Sequence, residues 1–388
     1  MKKLYVLFLL FFLYTVLHLF LPEYLLSAYN MPVQRGPYEK TEPEYQKIYD
    51  RLPYTVDMHS DALLWGTDLN RTHKGGMVNI PWLRESRPHF QIFTIVSKVP
   101  KSLSIEANSS DSDKLTVPFI LSGRDPATWF SLKNRVLEQC KRLEKYASKS
   151  GGTLRLIKTK GDLKKYLNDL HQTDGILAAG MLGIEGLHSL EGNVDNLDIF
   201  YQAGVRMAGP MHLFDNELGG SAQGEKKGGL TPFGKEVIKK MDELGMVIDL
   251  AHASEKAIDD ILSIAKRPLI TSHTGAKGIC NNGRNLSDEH LRAIAHSGGL
   301  IGVGFFAHTV CKPDYKHVAE TMRYIADLVG VQYVALGSDF DGAVVTPTDV
   351  RGLHFLVKEL RKKGFSEEEI RMITGENAMR FWLKNLPD

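Results

Sequence analysis

Only three cysteines, Cys140, Cys280 and Cys311, occur in 388 residues, which excludes a small fold stapled together by disulfides. An excess of one charge is missing too. Lys and Arg number 48 against 46 Asp and Glu, a formal net charge of +2, so the chain has no strong positive field with which to bind nucleic acid. Neither glycine (35) nor proline (16) is frequent enough for a collagen-like or linker-like chain. No internal repeat and no low-complexity tract occurs. What remains is an ordinary globular composition, 43% hydrophobic and 24% charged, long enough for two average domains or one large α/β barrel with additions.

Long apolar runs are confined to the N-terminus. Met1-Lys2-Lys3 leads into residues 4–21, interrupted by Tyr14, Thr15 and His18 and ended by Pro22-Glu23. A basic start followed by an apolar run has the form of an export signal, and the length approaches that of a membrane span, roughly 17–25 residues. Residues 1–28 are therefore expected to be a signal peptide or an N-terminal membrane anchor. Either puts the rest of the chain outside the cytosol: periplasmic, extracellular or membrane-attached. Ser27-Ala28 is the nearest small-residue cleavage point, and Leu26 and Tyr29 make it a poor one. Residues 29–53, with Pro32, Gly36, Pro37, Pro43 and Pro53, read as a lead-in segment.

From residue 54 to 388 short apolar runs alternate with helical patterns. Strands are expected at 54–58, 90–97, 176–184, 205–211, 247–250, 269–271, 300–305 and 333–336, and helices at 128–148, 232–244, 255–265, 288–296, 315–328 and 350–363. Eight such units favour a closed parallel (β/α)8 barrel of the TIM type. The strands are near-continuously apolar, as strands covered on both faces must be. A capping box at Ser366-Glu367-Glu368-Glu369 opens a final helix over 370–383. Residues 98–124, rich in Ser, Asp and Asn, break the rhythm and read as an inserted surface loop bordering the pocket mouth.

In such barrels the chemistry sits where strands end. The first strand ends in Asp57-Met58-His59-Ser60-Asp61, and His59 and Asp61, two residues apart in an extended segment, project to one side. The next metal-capable strand ends carry Glu185, then His252, His273 and Asp339. A single histidine past a strand is usually a hydrogen-bonded core residue, but five strand ends delivering metal-capable groups are a pattern. Among them His59, Asp61, Glu185, His252 and His273, three imidazoles and two carboxylates without a thiolate, suit Zn²⁺. One ion would not use all five groups; two sharing a carboxylate would, with Glu185 as the natural bridge. Paired zinc ions acidify a shared water and polarise a carbonyl, which points to amide or ester hydrolysis.

These residues resemble the membrane (renal) dipeptidases, a zinc metallopeptidase family of amidohydrolase-like barrels. The resemblance runs from about Thr55 to Leu383 through Val56–Asp61, Gly76-Met77-Val78-Asn79-Ile80-Pro81, Gly183-Ile184-Glu185-Gly186, Asp249-Leu250-Ala251-His252, Ser272-His273-Thr274, Gly283-Arg284-Asn285 and Gly337-Ser338-Asp339-Phe340-Asp341-Gly342. It implies an exported enzyme with two Zn²⁺ per chain that hydrolyses free dipeptides through a metal-bridging hydroxide. By the same resemblance, His59 and Asp61 hold one zinc, His252 and His273 the other, and Glu185 bridges them. Asp339 is then the acid/base group, His212 contacts the substrate and its oxyanion, and Arg284 binds the C-terminal carboxylate. A Cys280–Cys311 disulfide and a homodimer are implied as well. The sequence departs from the family at Ser60, where Asn is common, and at Phe305-Phe306-Ala307-His308, which lacks a substrate-binding tyrosine; His308 is a candidate replacement. Two other readings stay open at this point: another hydrolase on the same barrel, acting on lactones, phosphoesters or acylated amino acids, and a non-catalytic binding protein.

Overall fold

The computed structural model describes residues 2–87, 89–170, 172 and 177–388. Among these, nine strands pair in parallel: β1 (Thr55–Ser60), β2 (His89–Val96), β3 (Leu154–Leu156), β4 (Ala178–Glu185), β5 (Val205–Gly209), β6 (Val247–Ile248), β7 (Ile270–Thr274), β8 (Leu300–Val303) and β9 (Val334–Leu336). The sheet runs β6-β5-β4-β2-β1-β9-β8-β7. Its two ends meet through the bridge Asp249↔Ile270 and the bond from Leu250 N–H to Ile270 O, 2.8 Å. All eight expected strands are present as this eight-stranded parallel barrel; Ile176 lies outside the described residues. The extra strand β3 takes the first residues of β4, from Ala178, while β5 takes the same edge from Leu182 onward. Three residues are too few to carry a periodicity, which is why β3 is invisible in the sequence.

Helix starts follow local chemistry. Thr231, Ser254, Ser287 and Asp314 each accept the backbone N–H three residues on, and helices Pro232–Leu244, Glu255–Ile264, Asp288–His296 and Tyr315–Val329 begin directly after them. The capping box at Ser366 is formed, but the final helix differs from the expected single element. A wide turn, Met372–Glu376, separates Glu367–Arg371 from Asn377–Asn385. Thr374 turns its hydroxyl back on Ile370 O, and the offset lets Asn377 donate to Val331 O and Val334 O at 2.8 and 2.9 Å.

Two apolar layers position the site. The larger one packs the outer faces of the strands against the helices. The other joins the early residues of the strands (Val56, Phe90, Ala179, Leu300) to Trp382, Phe381 and Met379 of the last helix. That packing closes one end of the barrel, so the ends where the strands finish remain for function.

The N-terminal run forms one helix, Lys2–Tyr29, with a window of mean hydropathy 2.4 in which no described residue is buried. Its far end is built into the fold. Leu26 is buried, His18 Nδ1 bonds Ser122 O at 2.8 Å, and the fully buried Asn30 donates to Leu26 O and accepts from Ala343 N–H. Segment 98–124 is irregular apart from Thr116–Leu121, and it is more than a surface loop. Asn108 is buried, donating from Nδ2 to Leu213 O and Gln223 O. Phe119 is buried beside Leu64 and Val96. Cys280 and Cys311 form the expected disulfide, tying the loop after β7 to the loop after β8, and Cys140 is a buried free thiol.

Candidate active site

Two matching ties hold the strand ends in register. Ser338, past β9, donates its N–H to Asp57 Oδ1 (2.8 Å) and its hydroxyl to Asp57 Oδ2 (2.5 Å) on β1. Ser272, on β7, does the same to Asp249, just past β6, at 2.8 and 2.5 Å. Close packing there requires glycine at Gly337, where a Cβ would strike Ser272 O. The neighbouring Asp341 accepts the N–H groups of Met77 and Val78 at 2.7 and 3.0 Å, and Asn79 caps the helix Ile80–Glu85. The Gly76–Pro81 landmark is thus an anchored turn and not part of the reacting centre.

Above these ties the expected residues converge. Glu185 Oε1 lies 2.9 Å from His252 Nε2, 3.3 Å from His273 Nε2 and 3.6 Å from His59 Nε2; its Oε2 lies 3.2 Å from His212 Nε2. His59 Nε2 is also 3.6 Å from Asp61 Oδ1 and 3.8 Å from Asp339 Oδ1. Arg284 reaches the same point, donating to His273 O at 2.7 Å. Every one of these side chains is buried. His252 and Asp339 have positive φ (64° and 63°), a backbone cost of the kind found where a side chain must be aimed. Gly186, directly after Glu185, has φ 90°, and a Cβ there would meet the His188 and His212 side chains.

The hydrogen bonds define which nitrogens face the centre. Asp249 takes the Ser272 proton, so Ser272 Oγ accepts from Nδ1 of both His59 (2.8 Å) and His273 (3.0 Å). His252 Nδ1 donates to Gln223 Oε1 at 2.7 Å. Each imidazole therefore turns Nε2 inward. The Nε2 atoms of His252 and His273 lie 3.1 Å apart, and His59 Nε2 is buried with no hydrogen-bond partner. Burial pulls His252 and His273 well below the ordinary histidine value, with nearby cationic groups adding to it. Two unprotonated nitrogens facing one another and a carboxylate oxygen form a donor set that suits a cation.

The carboxylates give the same answer. Burial, then the Asp61 charge, pushes Glu185 well above the usual carboxylate range, and burial raises Asp339 to about 8 against the pull of His59. His59 goes the other way: burial opposes its charge, but Glu185, Asp61 and Asp339 together raise it to about 10. Positive charge is what this centre favours, and divalent ions supply it without a proton. Among the described residues three overlapping groups could hold a metal: His59-Asp61-Glu185, Glu185-His212-His252 and His59-His273-Asp339. Their sharing of Glu185 and His59 fits a two-ion centre. The His59–His273 grouping differs from the expected assignment of His273 to His252; the 3.1 Å contact of His273 Nε2 with His252 Nε2 leaves it facing both. His212 differs again, since burial lowers it to about 3 and its Nδ1 has no partner.

A cavity of about 250 Å³ opens over this floor, just below the usual range of roughly 300–1,000 Å³ for small-molecule sites. Its walls include Leu64, Val99, Leu103, Ile105 and Phe306, so segment 98–124 lines the pocket as well as its rim. His308 lines it, as Arg284 does. The positioning groups Asp249, Ser272, Gln223 and Thr94 (2.6 Å to Asp61 Oδ1) are absent from the sequence-level set of site residues. Asp249 and Ser272 stand inside recognisable motifs, but Gln223 comes from a loop with no periodic signal.

The chain is 34% identical over 260 residues to an uncharacterized Klebsiella pneumoniae protein encoded in the pqqA 5′ region, covering 63% of this chain and 93% of that one. It is 31% identical over 212 residues to a dipeptidase of Aspergillus oryzae, covering 52% of this chain and half, 50%, of the relative. Its fold matches a Rhodobacter sphaeroides metallopeptidase solved with a phosphinate mimic of the dipeptide L-Ala-D-Ala, with TM-score 0.67 and 23% identity over 86% of this chain and 99% of that one. A probable dipeptidase of Pseudomonas aeruginosa matches with TM-score 0.72 and 18% identity over 88% and 98%. The model of the membrane dipeptidases, peptidase family M19, matches residues 44–385, from the helix before β1 to the last turn of the C-terminal helix, and the chain belongs to that family.

Proposed function

We propose that this chain is a di-zinc dipeptidase that cleaves the amide bond of free dipeptides outside the cytosol. The observation that carries the reading is Glu185, whose two oxygens lie within 2.9–3.3 Å of the Nε2 atoms of His252, His212 and His273 at the floor of a small cavity. His59 and Asp61 would hold one ion, His252 and His273 the other, and Glu185 both. When bound, paired zinc acidifies a water and polarises the scissile carbonyl. Asp339 takes the proton of the attacking water and delivers it to the leaving amine. The neutral His212 donates a hydrogen bond to the oxyanion that develops on the carbonyl oxygen. Arg284 holds the free α-carboxylate through a charge-assisted pair, which selects dipeptides over longer chains.

The test is metal content and hydrolysis together. Purified full chain is expected to hold two zinc ions and to cleave free dipeptides far better than their C-terminal amides. Arg284→Ala should lose about 2–4 kcal/mol of transition-state binding, roughly 30- to 1000-fold in kcat/KM, on free dipeptides and little on amides. Equal cleavage of free and amidated dipeptides by the wild type excludes the carboxylate clamp.

We further propose that the apolar helix is a retained membrane anchor, preceding the lead-in 29–53 and the catalytic barrel 54–388. Leu26 packs on the Gly76 turn, and Val33 N–H bonds Thr346 O at 2.8 Å, so cleavage near residue 28 would sever packed chain. Alkaline carbonate extraction is expected to leave the protein in the membrane with its helix attached. Release of a chain beginning near residue 29 would overturn this.

A further inference from the structure

We infer that the enzyme carries a second, apolar compartment that receives a bulky hydrophobic side chain on the first residue of its dipeptide substrate; the inference rests on the dipeptidase reading above. A cavity lies beside the catalytic one and shares four wall residues with it, Leu64, Val99, Leu103 and Ala343. It is closed by Trp65, Leu115 and Phe119, and by Leu25 and Tyr29 from the end of the apolar helix. Its two charged members have partners. Arg124 pairs with Glu138 at 2.9 Å and donates to Leu64 O, and the Lys114 ammonium sits 4.4 Å above the Tyr29 ring. Hydrocarbon is therefore what the interior offers.

Barrel order decides which end of the substrate enters. Arg284 lies in the loop after β7, and Val99 and Leu103 lie in the segment after β2. Around the closed sheet β2 stands four strands from β7 in either direction, directly across the barrel. A dipeptide with its carboxylate on Arg284 and its amide over Glu185 extends its first residue toward β1 and β2. Its side chain then meets Leu64, Val99 and Leu103, the wall common to both cavities. A small first residue leaves that compartment unfilled, whereas an aromatic or branched one removes its surface from water.

The experiment measures kcat/KM of the zinc-loaded full chain in detergent for phenylalanyl-alanine, alanyl-phenylalanine and alanyl-alanine. The wild type is expected to favour phenylalanyl-alanine over alanyl-alanine at least tenfold. Leu115→Glu and, as a second route should that variant fold poorly, Leu103→Glu are each expected to cut this ratio at least tenfold while leaving the alanyl-phenylalanine to alanyl-alanine ratio within a few-fold. A wild-type ratio near one, or a ratio kept in both variants, overturns the compartment while the dipeptidase reading stands. Failure to cleave any of the three dipeptides overturns the dipeptidase reading, and the compartment with it.

Discussion

Asp339→Asn is expected to lower kcat by roughly 10²–10⁴, the usual worth of a positioned general acid/base, with zinc content close to wild type. The side chain lines the catalytic cavity, and its Oδ1 lies 3.8 Å from His59 Nε2, outside direct bonding but at the edge of the reacting centre. The backbone around it is held independently: Phe340 N–H donates to Ser338 Oγ at 3.0 Å, and Ser338 is tied to Asp57. An isosteric amide can keep this geometry while losing the ability to accept and return a proton. Steady-state kinetics with metal analysis on the same preparation make the check. Activity within a few-fold of wild type would remove Asp339 from proton transfer.

Glu185→Gln acts one step earlier. The substitution keeps the shape but deletes the charge toward which three imidazole Nε2 atoms point at 2.9–3.3 Å. Removing one charged partner from a buried set costs about 3–5 kcal/mol. In metal affinity that is roughly 10²- to 10⁴-fold, so fewer than two zinc ions should survive dialysis, and hydrolysis should fall with them. Retention of two tightly bound ions by a folded variant would show that the bridging assignment is wrong.

The barrel was legible in the sequence because its signals are local. Each strand is a short apolar run, and Thr231, Ser254, Ser287 and Asp314 mark helix starts to the residue. The convergence of His59, Asp61, Glu185, His252, His273 and Asp339 was legible because a parallel barrel sends every strand end to the same side. Gln223 was not, because its role depends on where a loop folds back against His252. The packing of segment 98–124 was hidden for a similar reason. Its polar surface sequence suggests solvent, while Asn108 and Phe119 face inward onto partners more than a hundred residues away or on another strand end. The break at Met372–Glu376 follows from Asn377 reaching two carbonyls in another element, which no helical periodicity encodes.

The paired ties Asp57–Ser338 and Asp249–Ser272 have an evolutionary consequence. Each connects the ends of adjacent strands through both oxygens of one carboxylate, so a slip of one residue would break two bonds at once. His59 and His273 are thus aligned from beneath, by the frame, through the Ser272 hydroxyl, whereas His252 takes its orientation from Gln223 in a loop. Within segment 98–124 the pocket-lining Val99, Leu103 and Ile105 can change without touching that frame, while Asn108 stays tied to Gln223. Selection can then retune which molecules enter the pocket while the hydrolytic centre is inherited unchanged.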